Sequence, residues 1–213
     1  NVRERSETII DWTPEAAEKG GYAHFMLKEI HEQPEALRQS IAGRVTRDAR
    51  IQVEELAPLA DAIRAATRIE LIACGSAYYA GQAGALLIEG LSRIPTDAEA
   101  ASEFRYRNPV IDPETLYVAV SQSGETFDTL AAIQEVKRKG GDVIGIVNAP
   151  GSTIAGACGS GVYIHAGPEV SVASTKAFTS TVVAFALLAL HLGRVRDLGP
   201  GDGGRLIAAL SAL

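Results

Sequence analysis

The feature of the sequence that most restricts the fold is a unit of strand, polar turn and helix at residues 117–140. The apolar residues YVAV at 117–120, typical of a buried strand, run directly into the turn SQSGET at 121–126. A helical pattern, TFDTLAAIQEVKRKG at 126–140, follows at once. The same order occurs earlier, where the strand IELIA at 69–73 leads into CGSA and a long helix rich in small residues at 78–91.

The rest of the chain keeps this alternation. Strands alternating with helices at this spacing predict a parallel sheet with helices on both faces. We therefore predict an α/β fold with three layers: a doubly wound, flavodoxin-like sheet of five strands in the order 2-1-3-4-5. Further predicted elements are a helix at 54–67, strands at 96–100, 142–147 and 161–165, a charged aromatic turn at 103–107, a buried helix at 174–191 and an amphipathic tail at 202–213.

The N-terminal part is typical of a helical arm. Helical spacing at 22–33 reaches Pro34, which ends that helix or opens the next one, and residues 35–42 continue as helix up to Gly43. We divide the chain into an arm at 1–45 and a domain at 46–213. The chain starts at Asn1 and not at Met, and its first residues are typical of an internal segment of a protein. We therefore expect an excised domain of a longer protein.

Composition narrows the class of partner. The net charge of −6 and pI of about 5.3 argue against nucleic acids and anionic membranes, which basic surfaces bind. The two cysteines form no metal-spaced set and no disulfide framework, so we expect no metal site and a reducing cytoplasm. The longest apolar run, at 182–190, is shorter than the roughly 20 residues that span a bilayer.

The turn at 121–126 has the chemistry of an anion site. The first amides of a helix have no partner within it, and the helix dipole favours negative charge there. The hydroxyls of Ser121, Ser123 and Thr126, with Gln122, add donors, and Gly124 allows close backbone approach. An ordinary turn with a Ser or Thr N-cap is the alternative. Because ligands of open parallel sheets bind where the strand order reverses, the turn at 74–77 would face the same crevice.

A third polar cluster precedes the predicted buried helix. Either Ser174 or Thr175 only caps that helix, or this turn forms a third wall that offers Ser174 and the backbone of Val172 and Ala173 to a sugar hydroxyl. Lys176 lies in the first helical turn, where a cation is unfavourable, so we do not assign it a catalytic role.

Other reactive side chains have structural interpretations. We expect Glu125 to point away from a bound anion, Cys74 to be a small buried thiol, and Arg105 and Arg107 to form ion pairs while remaining the nearest cations. The sequence contains neither a dinucleotide glycine motif after the first strand nor a nucleotide P-loop. Elimination therefore favours a phosphosugar over a nucleotide.

Together these motifs resemble the sugar isomerase (SIS) domain family. The similarity extends over nearly the whole chain and is greatest to the first of two SIS domains in the glutamine–fructose-6-phosphate aminotransferase family. Although SQSGET is shared with other SIS proteins, its combination with the other motifs is specific to the aminotransferases. The motifs are ACGSAYYAG at 73–81, ASEFRYR at 101–107, SQSGETFDTL at 121–130, VASTKAFTSTV at 172–182 and the arm at 20–44.

The resemblance implies roles for ten residues. It implies a sugar phosphate held by Ser121, Gln122, Ser123 and Thr126, and a sugar lined by Cys74, Gly75, Ser76, Val172, Ala173 and Ser174. One position departs from the family pattern, because Ala77 stands where many members have a hydroxyl residue.

The resemblance also implies the reaction of the longer enzyme. That enzyme uses ammonia from glutamine to convert fructose 6-phosphate into glucosamine 6-phosphate, without a metal or organic cofactor. Its glutaminase domain and second SIS domain are not in this chain, so we expect hexose-phosphate binding without turnover and no catalytic residue here. A homodimer is expected from the long apolar helix. The alternative is a stand-alone SIS module whose sugar phosphate regulates a partner.

Overall fold

The computed structural model describes residues 13–46, 51–196 and 198–212 and contains a five-stranded parallel sheet. The strand order is β2-β1-β3-β4-β5, which confirms the predicted doubly wound topology. The strands are β1 (Arg68–Ala73), β2 (Thr96–Ala100), β3 (Thr115–Ser121), β4 (Asp142–Val147) and β5 (Gly161–Tyr163).

Helices cover both faces of the sheet, as predicted. Successive residues of a strand point to opposite faces, so Leu71 and Ile72 belong to different cores. Helices α1, α2, α3 and α7 cover the Leu71 face, and α4, α5 and α6 cover the Ile72 face. The helices are α1 (Phe25–Ile41), α2 (Ala60–Ala65), α3 (Gly75–Ser92), α4 (Ala101–Tyr106), α5 (Phe127–Arg138), α6 (Thr153–Cys158), α7 (Lys176–Val195) and α8 (Pro200–Ser211), with 3-10 helices at Pro14–Ala17 and Glu54–Leu59.

The arm contains one continuous helix across Pro34, where the sequence predicted a break. Proline cannot donate to the carbonyl four residues earlier, which normally destabilises a helix. In this helix the side-chain amide of Gln33 donates to that carbonyl, at Ile30, over 3.2 Å. Packing of α1 against α7 then keeps the two halves in line.

Three further elements differ from the prediction. The expected turn at 103–107 is largely helical, because Ala101 and Phe104 are buried on one side of α4. The expected helix at 54–67 is divided into a 3-10 helix and α2. The short helix α6 was not predicted, since its six residues show no clear period and its first amides are held by other segments.

Helix α7 is the centre of the Leu71 face. Among the described residues it is the one helix long and apolar enough to cross a membrane, but 61% of its apolar window is buried inside the protein. Its Phe185 ring is fully buried against Gly84 of α3. A Cβ at Gly84 would lie only 2.4 Å from that ring, so a glycine permits the close approach of the two helices.

We predict opposite effects of alanine at two glycines of α3. Gly84→Ala should lower the free energy of unfolding by roughly 1–3 kcal/mol, because the new methyl group overpacks the Phe185 ring. Gly90→Ala meets open space and should raise it by up to about 1 kcal/mol through helix propensity. Urea denaturation measures both, and equal stability of the two variants would contradict the packing described for α3 and α7.

Candidate functional site

The predicted crevice lies where the strand order reverses. From β1 the chain continues to β2 on one side, and from β3 it continues to β4 on the other. Ala73 and Val120, near the carboxyl ends of β1 and β3, are paired in the sheet. The hydroxyl of Thr129, in the first turn of α5, donates to Cys74 Sγ over 3.9 Å. The turns at 74–77 and 121–126 are therefore neighbours, as the sequence predicted.

The turn at 121–126 is fixed by its own hydroxyl groups. Ser121 Oγ accepts from the amide of Gly124 at 3.0 Å and lies 2.9 Å from Thr126 Oγ1. Ser123 Oγ accepts from the amide of Glu125 at 3.2 Å. Each hydroxyl has one proton, and Ser123 uses only its acceptor capacity within the turn. The Ser123 proton and one proton of the Ser121–Thr126 pair thus remain for an external acceptor.

Helix α6 supports the turn from behind. Gly124 has a φ of +69°, and an added Cβ would lie 1.9 Å from Ser152 Oγ, so this position requires glycine for two separate reasons. The carbonyl of Gly124 accepts from the amide of Ile154 at 2.9 Å. Glycine therefore allows the turn to lie directly against α6.

Glu125 points away from the crevice, as expected. Its Oε1 accepts from the amide of Thr153 at 2.8 Å, at the start of α6. Hydrogen bonds from the side chain and backbone of Thr153 lower the pKa of this carboxyl group. The acid therefore satisfies one of the first amides of a neighbouring helix.

Two polar residues fix the segment that leads to α7. Asn148, which is buried directly after β4, donates to the carbonyl of Gly167 at 2.7 Å and accepts from the amide of Ala166 at 2.9 Å. Glu169 Oε1 accepts from the amides of Thr175 and Ala177 at 2.8 and 3.1 Å. Thr175 occupies the N-cap position of α7, as one of the two alternatives for this cluster predicted, but its side chain does not cap the helix and the Glu169 carboxylate binds the amides instead.

The ten candidate residues fall into two groups in the structure. The turns of β1 and β3 lie together, whereas within the described residues no hydrogen bond joins segment 172–174 to either turn. Ser174 Oγ donates to Glu169 Oε2 at 2.9 Å, and Val172 is fully exposed. Gly75, Ser76, Ser123, Val172 and Ala173 are exposed, Cys74, Gln122, Thr126 and Ser174 are half-buried, and Ser121 is buried.

The nearby cations are engaged in ion pairs, as expected. Arg105 lies 2.7 Å from Asp128 Oδ1 in the first turn of α5, and its guanidinium stacks on the Phe127 ring at 4.9 Å. Arg107 donates to both oxygens of Glu99. The buried Lys176 lies 2.8 Å from Glu32 Oε2 of the arm. These three cations therefore all have carboxylate partners in the structure.

Three side chains that bind the segment before α7 were missed from the sequence: Asn148, Glu169 and Glu29, whose Oε1 accepts from the amides of Val170 and Ser171. Asn148 follows a predicted strand directly and could have been suspected from that place. Glu29 and Glu169 carry no local signal, since their partners depend on tertiary contacts.

The family of the chain follows from its match to a domain family. Residues 62–191, which include both turns and most of α7, match the SIS domain family. The chain belongs to this family. The sequence-based assignment to SIS domains is therefore confirmed.

Known relatives support the closer resemblance. Glutamine–fructose-6-phosphate aminotransferase of Thermus thermophilus is 52% identical over 193 residues, which are 91% of this chain and 32% of that protein. The Streptomyces coelicolor enzyme of the same name is 47% identical over 91% of this chain and 31% of its own length. The chain thus spans about a third of these relatives.

A solved structure agrees with this similarity. The C-terminal domain of glucosamine-fructose-6-phosphate aminotransferase from Francisella tularensis aligns with a TM-score of 0.87 at 33% identity. The alignment covers 92% of this chain and 55% of that one. The similarity therefore includes the arm or most of it as well as the sheet.

We predict that Gly124→Ala destabilises the protein more than Gly140→Ala. Both glycines have positive φ, where alanine costs about 1–2 kcal/mol, but an alanine at 140 meets open space. Adding Ser152→Gly to Gly124→Ala removes the atoms that clash and should recover part of the loss, measured by urea denaturation against Ser152→Gly alone. Equal losses in the two alanine variants, with no recovery, would contradict the contact between the turn and α6.

Proposed function

We propose that this chain is the hexose-phosphate-binding SIS domain of an enzyme that converts fructose 6-phosphate and glutamine-derived ammonia into glucosamine 6-phosphate. The observation that carries the proposal is the turn at 121–126, a neutral set of hydroxyls and helix amides at the reversal point of the sheet. The named relatives supply the substrate class.

The phosphate would lie at the N-terminus of α5. The first amides of this 12-residue helix point out of its end and favour an anion. Ser123 and Thr126 add hydroxyl donors, and Ser121 holds both Gly124 and Thr126 in place. Gln122, which is half-buried beside them, offers a side-chain amide. A site of this kind recognises phosphate by the number and direction of its donors.

The sugar would extend from the phosphate toward the turn of β1 and the segment before α7. Gly75 has a φ of +57° at the start of α3, so its backbone is turned in a way that favours glycine. Cys74 and Ser76 border it, and Val172, Ala173 and Ser174 would form the opposite side. Ala77 offers no hydroxyl, so the phosphate would have one donor fewer than in many family members.

The role of this chain would be to anchor the substrate. Binding energy from a non-reacting phosphate can position a sugar for groups that carry out the chemistry. Those groups would come from the second SIS domain and the glutaminase domain of a longer chain. Two copies of that chain would form a homodimer in the cytoplasm. The isolated chain would accordingly bind hexose phosphate without turning it over.

We expect saturable binding of fructose 6-phosphate and glucosamine 6-phosphate in a calorimetric titration. The double variant Ser123→Ala, Thr126→Ala removes two proposed phosphate donors and should weaken binding by about a hundredfold or more, since each lost hydrogen bond to a charged group is worth about 1.5–3 kcal/mol. The matched control is Thr67→Ala, Ser160→Ala, which makes the same two chemical changes just before β1 and β5 at the opposite edge of the sheet.

The outcomes separate the parts of the proposal. Loss of binding in the first variant with normal binding in the control would support the phosphate position. Equal affinity in all three proteins would show that the sugar binds elsewhere. If the wild-type chain binds neither sugar, a longer chain that includes the second SIS domain decides between an incomplete pocket and a wrong assignment.

A further inference from the structure

Helix α1 of the arm contacts the segment before α7 through a buried acid. Glu29 is only 2% exposed. Its Oε1 accepts from the amides of Val170 and Ser171 at 2.6 and 3.1 Å, and its Oε2 accepts from the Ser171 hydroxyl. These partners lie 141 and 142 residues away in the sequence, directly before Val172.

A buried carboxylate with these contacts has a large effect on its surroundings. Burying a charge is unfavourable unless hydrogen bonds replace the lost water, and three donors do so at Glu29. Bonds between an ionised acceptor and backbone amides are also stronger than neutral ones. If the carboxylate is removed, the amides of Val170 and Ser171 lose their partner, and this segment is free to rearrange.

The same helix holds the other side of this segment. Lys176, the first residue of α7, is 3% exposed, and its Nζ lies 2.8 Å from Glu32 Oε2. Lys28 Nζ lies 3.4 Å from the other oxygen of Glu32. Residues 172–174 therefore lie between two contacts with α1: the amides of Val170 and Ser171 on one side and Lys176 on the other.

We propose that Glu29 is a positioning residue for the sugar side of the site, and that α1 is thus a structural component of the binding site. The inference rests on the proposed function, because segment 172–174 must contact the sugar for its position to matter. Glu29 itself would not contact the sugar. It acts through the amides that precede Val172 and leaves the phosphate turn at 121–126 untouched.

Hydrogen–deuterium exchange tests the positioning without any ligand. Glu29→Ala should increase exchange in peptides covering 169–175, because two amides lose their acceptor. Glu29→Gln keeps the size and one acceptor oxygen and should stay close to wild type. Glu35→Ala removes an exposed glutamate from the same helix and should change nothing in that segment. Unchanged exchange in Glu29→Ala would overturn the proposal.

Titration with two probes tests the consequence for binding. Glu29→Ala should weaken fructose 6-phosphate binding by about tenfold, because the amides of Val170 and Ser171 are left without their acceptor. Its affinity for inorganic phosphate should stay within about twofold of wild type, since that probe needs only the turn at 121–126. A general loss of folding would reduce the affinity for both probes. If Glu29→Ala does not fold, the same titrations are made with Ser171→Ala, which keeps Glu29 and removes the hydroxyl that donates to it.

The two readouts distinguish the possible failures. Faster exchange with unchanged fructose 6-phosphate affinity would overturn the role of Glu29 in binding. Parallel loss of both probes would assign Glu29 to general stability and would also overturn it. If the wild-type chain binds inorganic phosphate but no fructose 6-phosphate, and a longer chain that includes the second SIS domain gives the same result, the proposed function and with it the sugar role of Glu29 are overturned.

Discussion

The parallel pairing of β1 with β3 is the constraint on which the rest of the structure depends. It places the ends of both strands at one edge, where each chain segment turns directly into a helix. Because β2 and β4 lie on opposite sides, the helices that follow separate and leave an opening between the two turns. The donors of the candidate site are therefore consequences of backbone topology, and the side chains refine a site that the sheet creates.

Glutamate carboxylates hold the surroundings of that opening in place. Glu125 binds the start of α6, Glu169 caps α7, and Glu29 binds the segment before Val172. Each carboxylate satisfies amides that belong to another segment. The acidic groups near the site thus have structural partners, which leaves the turn at 121–126 with neutral donors for an anion.

The sequence predicted the sheet order and the position of the two turns because these depend on short-range patterns. Runs such as IELIA and YVAV are buried on both faces, and the turns follow them directly. The errors arose where tertiary contacts outweigh local preference. Pro34 remains in a helix because Gln33 and the packing of α1 compensate for it, and α6 forms because other segments hold its first amides.

Glu29 and Glu169 could not be identified from sequence patterns for the same reason. Glu29 is one of several glutamates in a helix whose pattern alone does not distinguish it from the exposed Glu35. Its partners lie more than a hundred residues further along the chain, at 170 and 171. Only the packing of α1 on α7 brings them together.

The most direct test of the account is to map the bound sugar phosphate by amide chemical shifts during a titration with fructose 6-phosphate. We predict that the largest changes occur at residues 122–128, with smaller changes at 74–77 and 170–175. A separate polar depression lies around Arg44, Glu55 and His165. Changes concentrated there, with residues 122–128 unaffected, would contradict the central claim that the reversal point of the sheet holds the phosphate.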